Sequence, residues 1–157
     1  MKVLAVIGPS GSGKTTLLEA LLPALARCGL RTAAVKHTHH PPAAIDRQGS
    51  DSARLFAAGA SAVALAGPGV CCVFQPGGVE PSLEEILARL PAVDLVLLES
   101  WKTLAVDAIE VVAADGQRVA ATVGGKRLQV VSSGLARPPV FGDDTLAALC
   151  RTILEWC

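Results

Sequence analysis

The chain alternates short apolar runs with amphipathic stretches. Val3 to Ile7 is a continuous apolar run, typical of a central parallel strand that is covered on both faces. From Lys14 to Cys28, leucines recur at intervals of three and four residues, which predicts an amphipathic helix that Pro23 kinks. A second strand is predicted from Arg31 to Val35. Asp94 to Glu99 is mostly apolar and predicts another buried strand.

Turn residues and helix caps indicate the remaining elements. Gly67-Pro68-Gly69 separates the apolar runs 62–66 and 70–74, which predicts an antiparallel strand-turn-strand addition. The other predicted elements are a helix capped by Ser50 or Asp51 through Ala58, a helix from Ser82 to Leu90, a hairpin of 108–113 and 119–123 around Asp115-Gly116, a strand at 128–131, and a closing helix that begins at Asp143 or Asp144. This alternation predicts a three-layer α/β domain with a mainly parallel sheet, and residues 1–157 as a single domain.

Composition narrows the class of protein. The chain has 157 residues, of which 51% are hydrophobic and 18% charged, and 14 basic residues balance 14 acidic ones. Because there is no basic excess, we expect no general binding to nucleic acid. The first apolar run is too short for a signal peptide and no stretch reaches about 18 apolar residues, so we expect a cytoplasmic protein that does not enter a membrane. The five cysteines contain no C-x-x-C pair, which argues against a disulfide framework or a zinc site.

The segment 8–15, GPSGSGKT, matches the spacing G-x-x-x-x-G-K-[S/T] between an apolar strand and an amphipathic helix. Its three glycines lack side chains, so backbone N–H groups can curl closely around phosphate oxygens. Lys14 supplies a positive charge, and Thr15 offers a hydroxyl to Mg²⁺. The segment predicts a P-loop NTPase domain, with phosphate-binding residues Gly8, Ser10, Gly11, Ser12, Gly13, Lys14 and Thr15.

Glu99 is the acid predicted to act with this loop. In open α/β sheets the ligand lies beyond the carboxyl ends of the parallel strands. Asp94 and Glu99 flank one strand and are separated by roughly 16 Å, so only Glu99 shares an end with Thr15. We therefore expect Thr15 and Glu99 to hold Mg²⁺, and Lys14 and Glu99 to be the catalytic pair.

Other polar residues follow the same strand ends. Lys36 and His37 leave the second strand where they could meet a γ-phosphate or a second substrate. Trp101 and Lys102 lie just beyond Glu99 and would suit an anionic heterocyclic partner. Ser133, after the last strand, is the candidate for a base pocket. The histidines at 37, 39 and 40 leave a transition-metal site open.

These motifs in this order resemble the molybdopterin-guanine dinucleotide biosynthesis protein B (MobB) family. The resemblance covers most of the first 102 residues and is carried by Gly8 to Thr15, Lys36-His37-Thr38-His39-His40, Gly49-Ser50-Asp51-Ser52, Ala58-Gly59-Ala60 and Leu98-Glu99-Ser100-Trp101-Lys102. It implies a homodimeric protein that binds GTP and Mg²⁺, hydrolyses GTP slowly, and assists the nucleotidyltransferase that attaches GMP to molybdopterin. Thr16 would then join the phosphate-binding residues, and residues 36 to 51 would resemble a switch.

The chain departs from the family pattern at two positions. Ser100 stands where the family tends to have glycine, and Gly134 stands where an acid that reads guanine is expected. The preference for GTP over ATP therefore stays open. Two other functions also stay open: a small-molecule kinase that uses the same loop, and a metal-delivery GTPase whose cargo binds His37, His39 and His40.

Overall fold

The computed structural model describes residues 1–37, 49–75, 80–101, 105–113, 115–116, 118, 125–132 and 141–157. The described residues contain seven strands: β1 (Lys2–Ile7), β2 (Thr32–Lys36), β3 (Val63–Gly67), β4 (Val70–Phe74), β5 (Leu95–Glu99), β6 (Ala108–Val112) and β7 (Arg127–Ser132). They contain four helices: α1 (Lys14–Arg27), α2 (Asp51–Ala57), α3 (Leu83–Leu87) and α4 (Asp143–Trp156). The chain divides into two compact units, one of Met1–His37 with Leu90–Cys157 and one of Thr38–Arg89.

The first unit is built on a five-stranded sheet with the order β2-β5-β1-β6-β7. All four pairings in it are parallel, which confirms the predicted α/β class and its mainly parallel sheet. The register pairs Val6 with Glu99 and Lys36 with Glu99. The carboxyl ends of β1, β2 and β5 therefore lie side by side, where segment 8–15 begins.

One core lies between this sheet and helices α1 and α4. Alternate residues of the strands face it, as the period of two requires, and its fully buried members include Leu4, Val6, Leu17, Leu21, Leu95, Leu97, Ile109, Leu149 and Ile153. The opposite face is equally buried at Ala5, Ile7, Val96 and Leu98. The continuous apolar runs predicted to be covered on both faces are thus confirmed as central strands.

Helix α1 begins at Lys14, within segment 8–15, and contains Pro23. It ends at Arg27 because Gly29 adopts a left-handed φ of 85°. The Gly29 N–H then donates to the Ala26 carbonyl and the Leu30 N–H to the Leu25 carbonyl, at 3.0 and 3.2 Å. This Schellman pair satisfies carbonyls that the end of the helix would otherwise leave unbonded.

The second unit contains the predicted strand-turn-strand. Strands β3 and β4 are antiparallel, as predicted, but they form a separate two-stranded sheet. Helix α3 starts after Ser82, whose side chain and that of Glu85 form a capping box. It ends at Leu87, three residues before the predicted end, where the chain tightens into a turn in which the Arg89 N–H donates to the Ile86 carbonyl at 3.0 Å.

The carboxyl-terminal elements follow the prediction in part. Strand β7 covers the predicted 128–131, and α4 begins at Asp143 with Gly142 as its N-cap. The strand predicted at 119–123 lies outside the described residues, and the described neighbours of β6 are the parallel strands β1 and β7. Across the described parts of the chain, no helix has the length and apolar character needed to cross a membrane.

Candidate functional site

Close packing and backbone conformation explain the glycines of segment 8–15. A Cβ atom at Gly8 would overlap the main-chain carbonyl of Val111 on β6 and would lie 2.7 Å from the Ser12 hydroxyl. Gly11 and Gly13 adopt φ values of 73° and 95°, in the left-handed region that other residues seldom occupy. Gly13 is the N-cap of α1, so the first free N–H groups of that helix open into the loop.

The Lys14 side chain folds back over this loop. Its ammonium donates hydrogen bonds to the carbonyls of Gly8 at 3.1 Å and Pro9 at 2.6 Å. Lys14 is buried although it is charged, and these contacts offset the loss of hydration. A positive charge is therefore fixed directly over the backbone of the loop at Gly8 and Pro9.

Ser12 provides a direct test of whether the loop fits a phosphate. Its hydroxyl is buried and makes no hydrogen bond within the described residues. Buried hydroxyls are nearly always bonded, so an unsatisfied one in a glycine-rich loop at a helix N-terminus indicates a place for a ligand oxygen. The exposed Ser10 lies on the same segment, and the half-buried Thr16 follows it directly. The loop therefore fits a bound polyphosphate.

Glu99 lies at the centre of the polar contacts at this end of the sheet. Its Oε1 accepts a hydrogen bond from the Thr15 hydroxyl at 2.7 Å and lies 3.4 Å from the Lys36 ammonium. The carboxylate is buried while the Lys36 side chain is 62% exposed. One hydroxyl and one carboxylate oxygen are the kind of ligands that Mg²⁺ accepts beside phosphate and water.

Asp94, at the other end of β5, has a different role. Its carboxylate binds the Arg31 guanidinium through both oxygens, at 2.9 and 3.1 Å. Hydrogen bonds from Arg31 lower the pKa of Asp94 to about 2. The structure thus separates the two acids as the strand-end argument predicts, with Glu99 beside Thr15.

Ser100 follows Glu99 in a strained conformation. Its φ is 68°, and among the described residues it is the one non-glycine residue with a positive φ. The Ser100 N–H donates to the Val6 carbonyl at 3.3 Å, which holds the turn against β1. This is the position where the sequence has serine in place of the glycine typical of the resembled family.

We expect Ser100→Gly to raise the free energy of unfolding by about 0.5–1 kcal/mol, since relief of about 1–2 kcal/mol of left-handed strain exceeds the added chain entropy. Urea denaturation without nucleotide measures this. The control is Ser61→Gly, at an exposed position where φ is not positive. An equal loss of stability in both variants would contradict the strain argument.

An aromatic pair lies beyond Glu99. The rings of His37 and Trp101 are 5.1 Å apart between centroids and tilted by 38°. The main-chain N–H of His37 donates to the main-chain carbonyl of Glu99 at 3.1 Å. The pairing of β2 with β5 therefore brings the two rings together. Lys102, Ser133, His39 and His40 lie outside the described residues, and their predicted roles stay predictions. No group of three or more His, Cys, Asp or Glu side chains within the described parts is placed to hold a metal.

A buried carboxylate on β6 that pairs with two arginines was not predicted. The Glu110 carboxylate is fully buried and binds the guanidinium groups of Arg118, through Nε and Nη2, and Arg127, whose Nε is 3.3 Å away. The hydrogen bonds that Arg118 donates to the Glu110 carboxylate raise the pKa of Arg118. The signal in the sequence is a lone acid inside the apolar strand AIEVV. In the register Glu110 pairs with Ile7, the residue before Gly8.

Comparisons with known proteins agree with this architecture. A "Molybdopterin-guanine dinucleotide biosynthesis adapter protein" from Haemophilus influenzae is 38% identical over 102 residues, covering 64% of this chain and 57% of that protein. The protein of the same name from Escherichia coli is 38% identical over 104 residues, covering 64% of this chain and 59% of that protein. The chain thus spans less than two thirds of the length of these relatives.

A solved structure extends the likeness to the whole fold. The crystal structure of a molybdopterin-guanine biosynthesis protein B superposes with a TM-score of 0.64 at 26% identity, covering 98% of this chain and 97% of that one. This confirms the P-loop NTPase type of α/β fold. A sequence model described as "Molybdopterin guanine dinucleotide synthesis protein B" matches residues 3–133. The chain therefore belongs to the molybdopterin guanine dinucleotide synthesis protein B family.

Proposed function

We propose that this chain binds GTP with Mg²⁺ at segment 8–15 and serves as an adapter in the conversion of molybdopterin to molybdopterin guanine dinucleotide. The observation that carries the proposal is the 2.7 Å hydrogen bond between Thr15 and Glu99. It joins the first residues of α1 to the end of β5 at the place where a nucleotide-bound metal belongs. Family membership and the adapter relatives support the pathway.

Each part of the site has a proposed role. The loop from Gly8 to Gly13 surrounds the phosphates with backbone N–H groups, and the Ser12 hydroxyl bonds a phosphate oxygen. Lys14 turns its ammonium from the loop carbonyls toward the β- and γ-phosphates. Thr15 and Glu99 hold Mg²⁺, with water completing its coordination. Ser133 and Lys102 remain the proposed contacts to the rest of the nucleotide.

We propose that hydrolysis is slow. The cations that the described residues bring to Glu99 and the loop are the lysines 14 and 36. An arginine finger accounts for about 10³–10⁵ in rate where NTPases have one. Because the described residues bring lysines and not an arginine to this place, we expect the nucleotide to be held long enough for a partner nucleotidyltransferase and molybdopterin to meet at the adapter.

Calorimetric titration with GTP and with ATP, each with Mg²⁺, tests the proposed nucleotide. If side chains read the base, a pair of base-specific hydrogen bonds gives a preference of about 30- to 1,000-fold for GTP. Because Gly134 replaces the expected acid, these bonds have to come from other groups. Equal affinity for ATP would contradict GTP specificity and favour the kinase alternative.

We further propose that the protein is a homodimer in which the β3–β4 sheet contacts a second copy. Leu65, Val70 and Val73 are exposed large apolar residues, and consecutive exposed positions place apolar side chains on both faces. An isolated two-stranded sheet is marginally stable, and exposed apolar patches mark interaction surfaces. Residues 63–74 carry no charge, so two copies can meet without repulsion.

We expect Val73→Lys to weaken dimerisation at least about tenfold, because each copy would bring a charge to the apolar contact. Analytical ultracentrifugation over a concentration series measures the effect. The matched control is Leu154→Lys on α4, where an apolar side chain is also exposed. If both variants dimerise like the parent, or if the parent is a monomer, the proposed contact is wrong.

A further inference from the structure

The His37–Trp101 ring pair lies just beyond the ends of β2 and β5, where Lys36 and Glu99 end their strands. Lys36 and Glu99 pair in register, and the His37 N–H is bonded to the Glu99 carbonyl. The two rings therefore stand directly beyond the carboxylate proposed to hold Mg²⁺. Both residues are half-buried, so each ring keeps an exposed part.

The order of the strands separates this pair from the proposed base site. The phosphate-binding loop leaves β1 and packs against β6, where Val111 closely approaches Gly8. The proposed base contact, Ser133, follows β7, which is four strands from β2 in the sheet. At about 4.8 Å per strand, roughly 19 Å separates β7 from β2. If Ser133 contacts the base, as proposed, the ring pair lies on the opposite side of the metal site from the base.

The charged side chain of Lys36, the residue before His37, is a second feature of this end of the sheet. The Lys36 ammonium is 3.4 Å from Glu99, and its side chain is 62% exposed. If Mg²⁺ binds the Glu99 carboxylate, it competes with the Lys36 ammonium for the same oxygen. The ammonium can then turn toward another anion. A cation beside two aromatic rings suits a flat ligand that also carries negative charge.

We propose that Lys36, His37 and Trp101 form a binding site for a planar, anionic heteroaromatic ligand, separate from the nucleotide base. The inference rests on the proposed function, in which the pterin of molybdopterin is such a ligand. Trp101 provides the stacking face, His37 fixes the orientation of that face, and Lys36 binds the negative group. The ligand then lies beside the γ-phosphate end of the nucleotide.

Fluorescence tests the site, because the sequence contains two tryptophans. In Trp156→Phe, Trp101 is the one remaining reporter, and we expect saturable quenching when pterin-6-carboxylate is added as the planar anion. Trp101→Phe, which keeps Trp156, provides the matched control for light absorbed by the pterin itself. Quenching no greater than in this control would overturn the proposal.

Calorimetry with the same pterin tests the residues. Loss of one stacking face weakens binding of a base by roughly 5- to 150-fold, so we expect that loss in Trp101→Leu, which keeps apolar volume. Lys36→Met should weaken binding and remove its dependence on salt, whereas Lys126→Met should do neither. Unchanged affinity in Trp101→Leu would overturn the site.

Mg²⁺-GTP is titrated into the same Trp156→Phe sample. Full quenching of Trp101 by GTP alone would show that the pair stacks on the base, which overturns the inference and leaves the proposed function standing. If GTP binds normally but the pterin does not bind, the inference is likewise overturned and the proposed function stands. If the protein binds the pterin but does not bind GTP at all, the proposed function is contradicted and the site is supported.

Discussion

Lys14→Ala is expected to abolish the thermal stabilisation that GTP and Mg²⁺ give to the protein. A ligand that binds only the folded state adds its binding free energy to folding, about 2.7 kcal/mol at a concentration of 100 Kd. For a chain of this size that corresponds to a rise in Tm of about 5–11 °C. The Lys14 ammonium is the buried charge fixed over the loop, so its removal takes away the strongest single attraction for the phosphates.

The rise in Tm that nucleotide causes has to be compared between Lys14→Ala and the parent protein. The Tm without nucleotide is not enough, because the substitution will change it as well. Without Lys14, the Gly8 and Pro9 carbonyls lose a charged hydrogen-bond donor, which lowers stability before any ligand is added. Lys126→Ala is the matched control, because it removes the same side chain at an exposed position near the amino end of β7. A full shift in Lys14→Ala would mean that nucleotide binds elsewhere.

The proposed nucleotide site was predictable because it depends on local spacing and on one rule of topology. The glycines and Lys14 follow from a contiguous motif, and the strand before it is recognisable from its apolar run alone. Glu99 follows from the rule that parallel strands deliver their carboxyl ends to one edge. Once β1 and β5 are both recognised as central strands, Thr15 and Glu99 must be neighbours, and the structure places them 2.7 Å apart.

Other features depend on contacts that no local pattern contains. The sequence shows Glu110 as a lone acid inside an apolar strand, but it does not show its partners, because only the fold brings Arg127 on β7 and Arg118 to its carboxylate. The His37–Trp101 contact needs β2 and β5 to be adjacent and in a given register. The sequence does not reveal the left-handed turn at Ser100, because serine seldom adopts a positive φ. Only the backbone conformation shows why a glycine would suit the position.

Gly8→Ala is expected to be the most damaging small substitution in the loop, with a loss of about 3 kcal/mol or more in the free energy of unfolding. The added Cβ would overlap the Val111 carbonyl, a backbone atom on β6. Overpacking usually costs about 1–3 kcal/mol because side chains adjust. Here β6 is fixed between β1 and β7, so the loop itself has to move.

Gly11→Ala separates this steric effect from the conformational one. Gly11 has a φ of 73°, yet a Cβ there would meet nothing within 4 Å, so its cost is the left-handed strain of about 1–2 kcal/mol alone. Urea denaturation of both variants without nucleotide compares the two costs. If they lose equal stability, the approach of β6 to Gly8 does not constrain the loop. If Gly8→Ala loses more and also fails to bind GTP, then contact with β6, besides the glycine-rich sequence, sets the curvature that holds the phosphates.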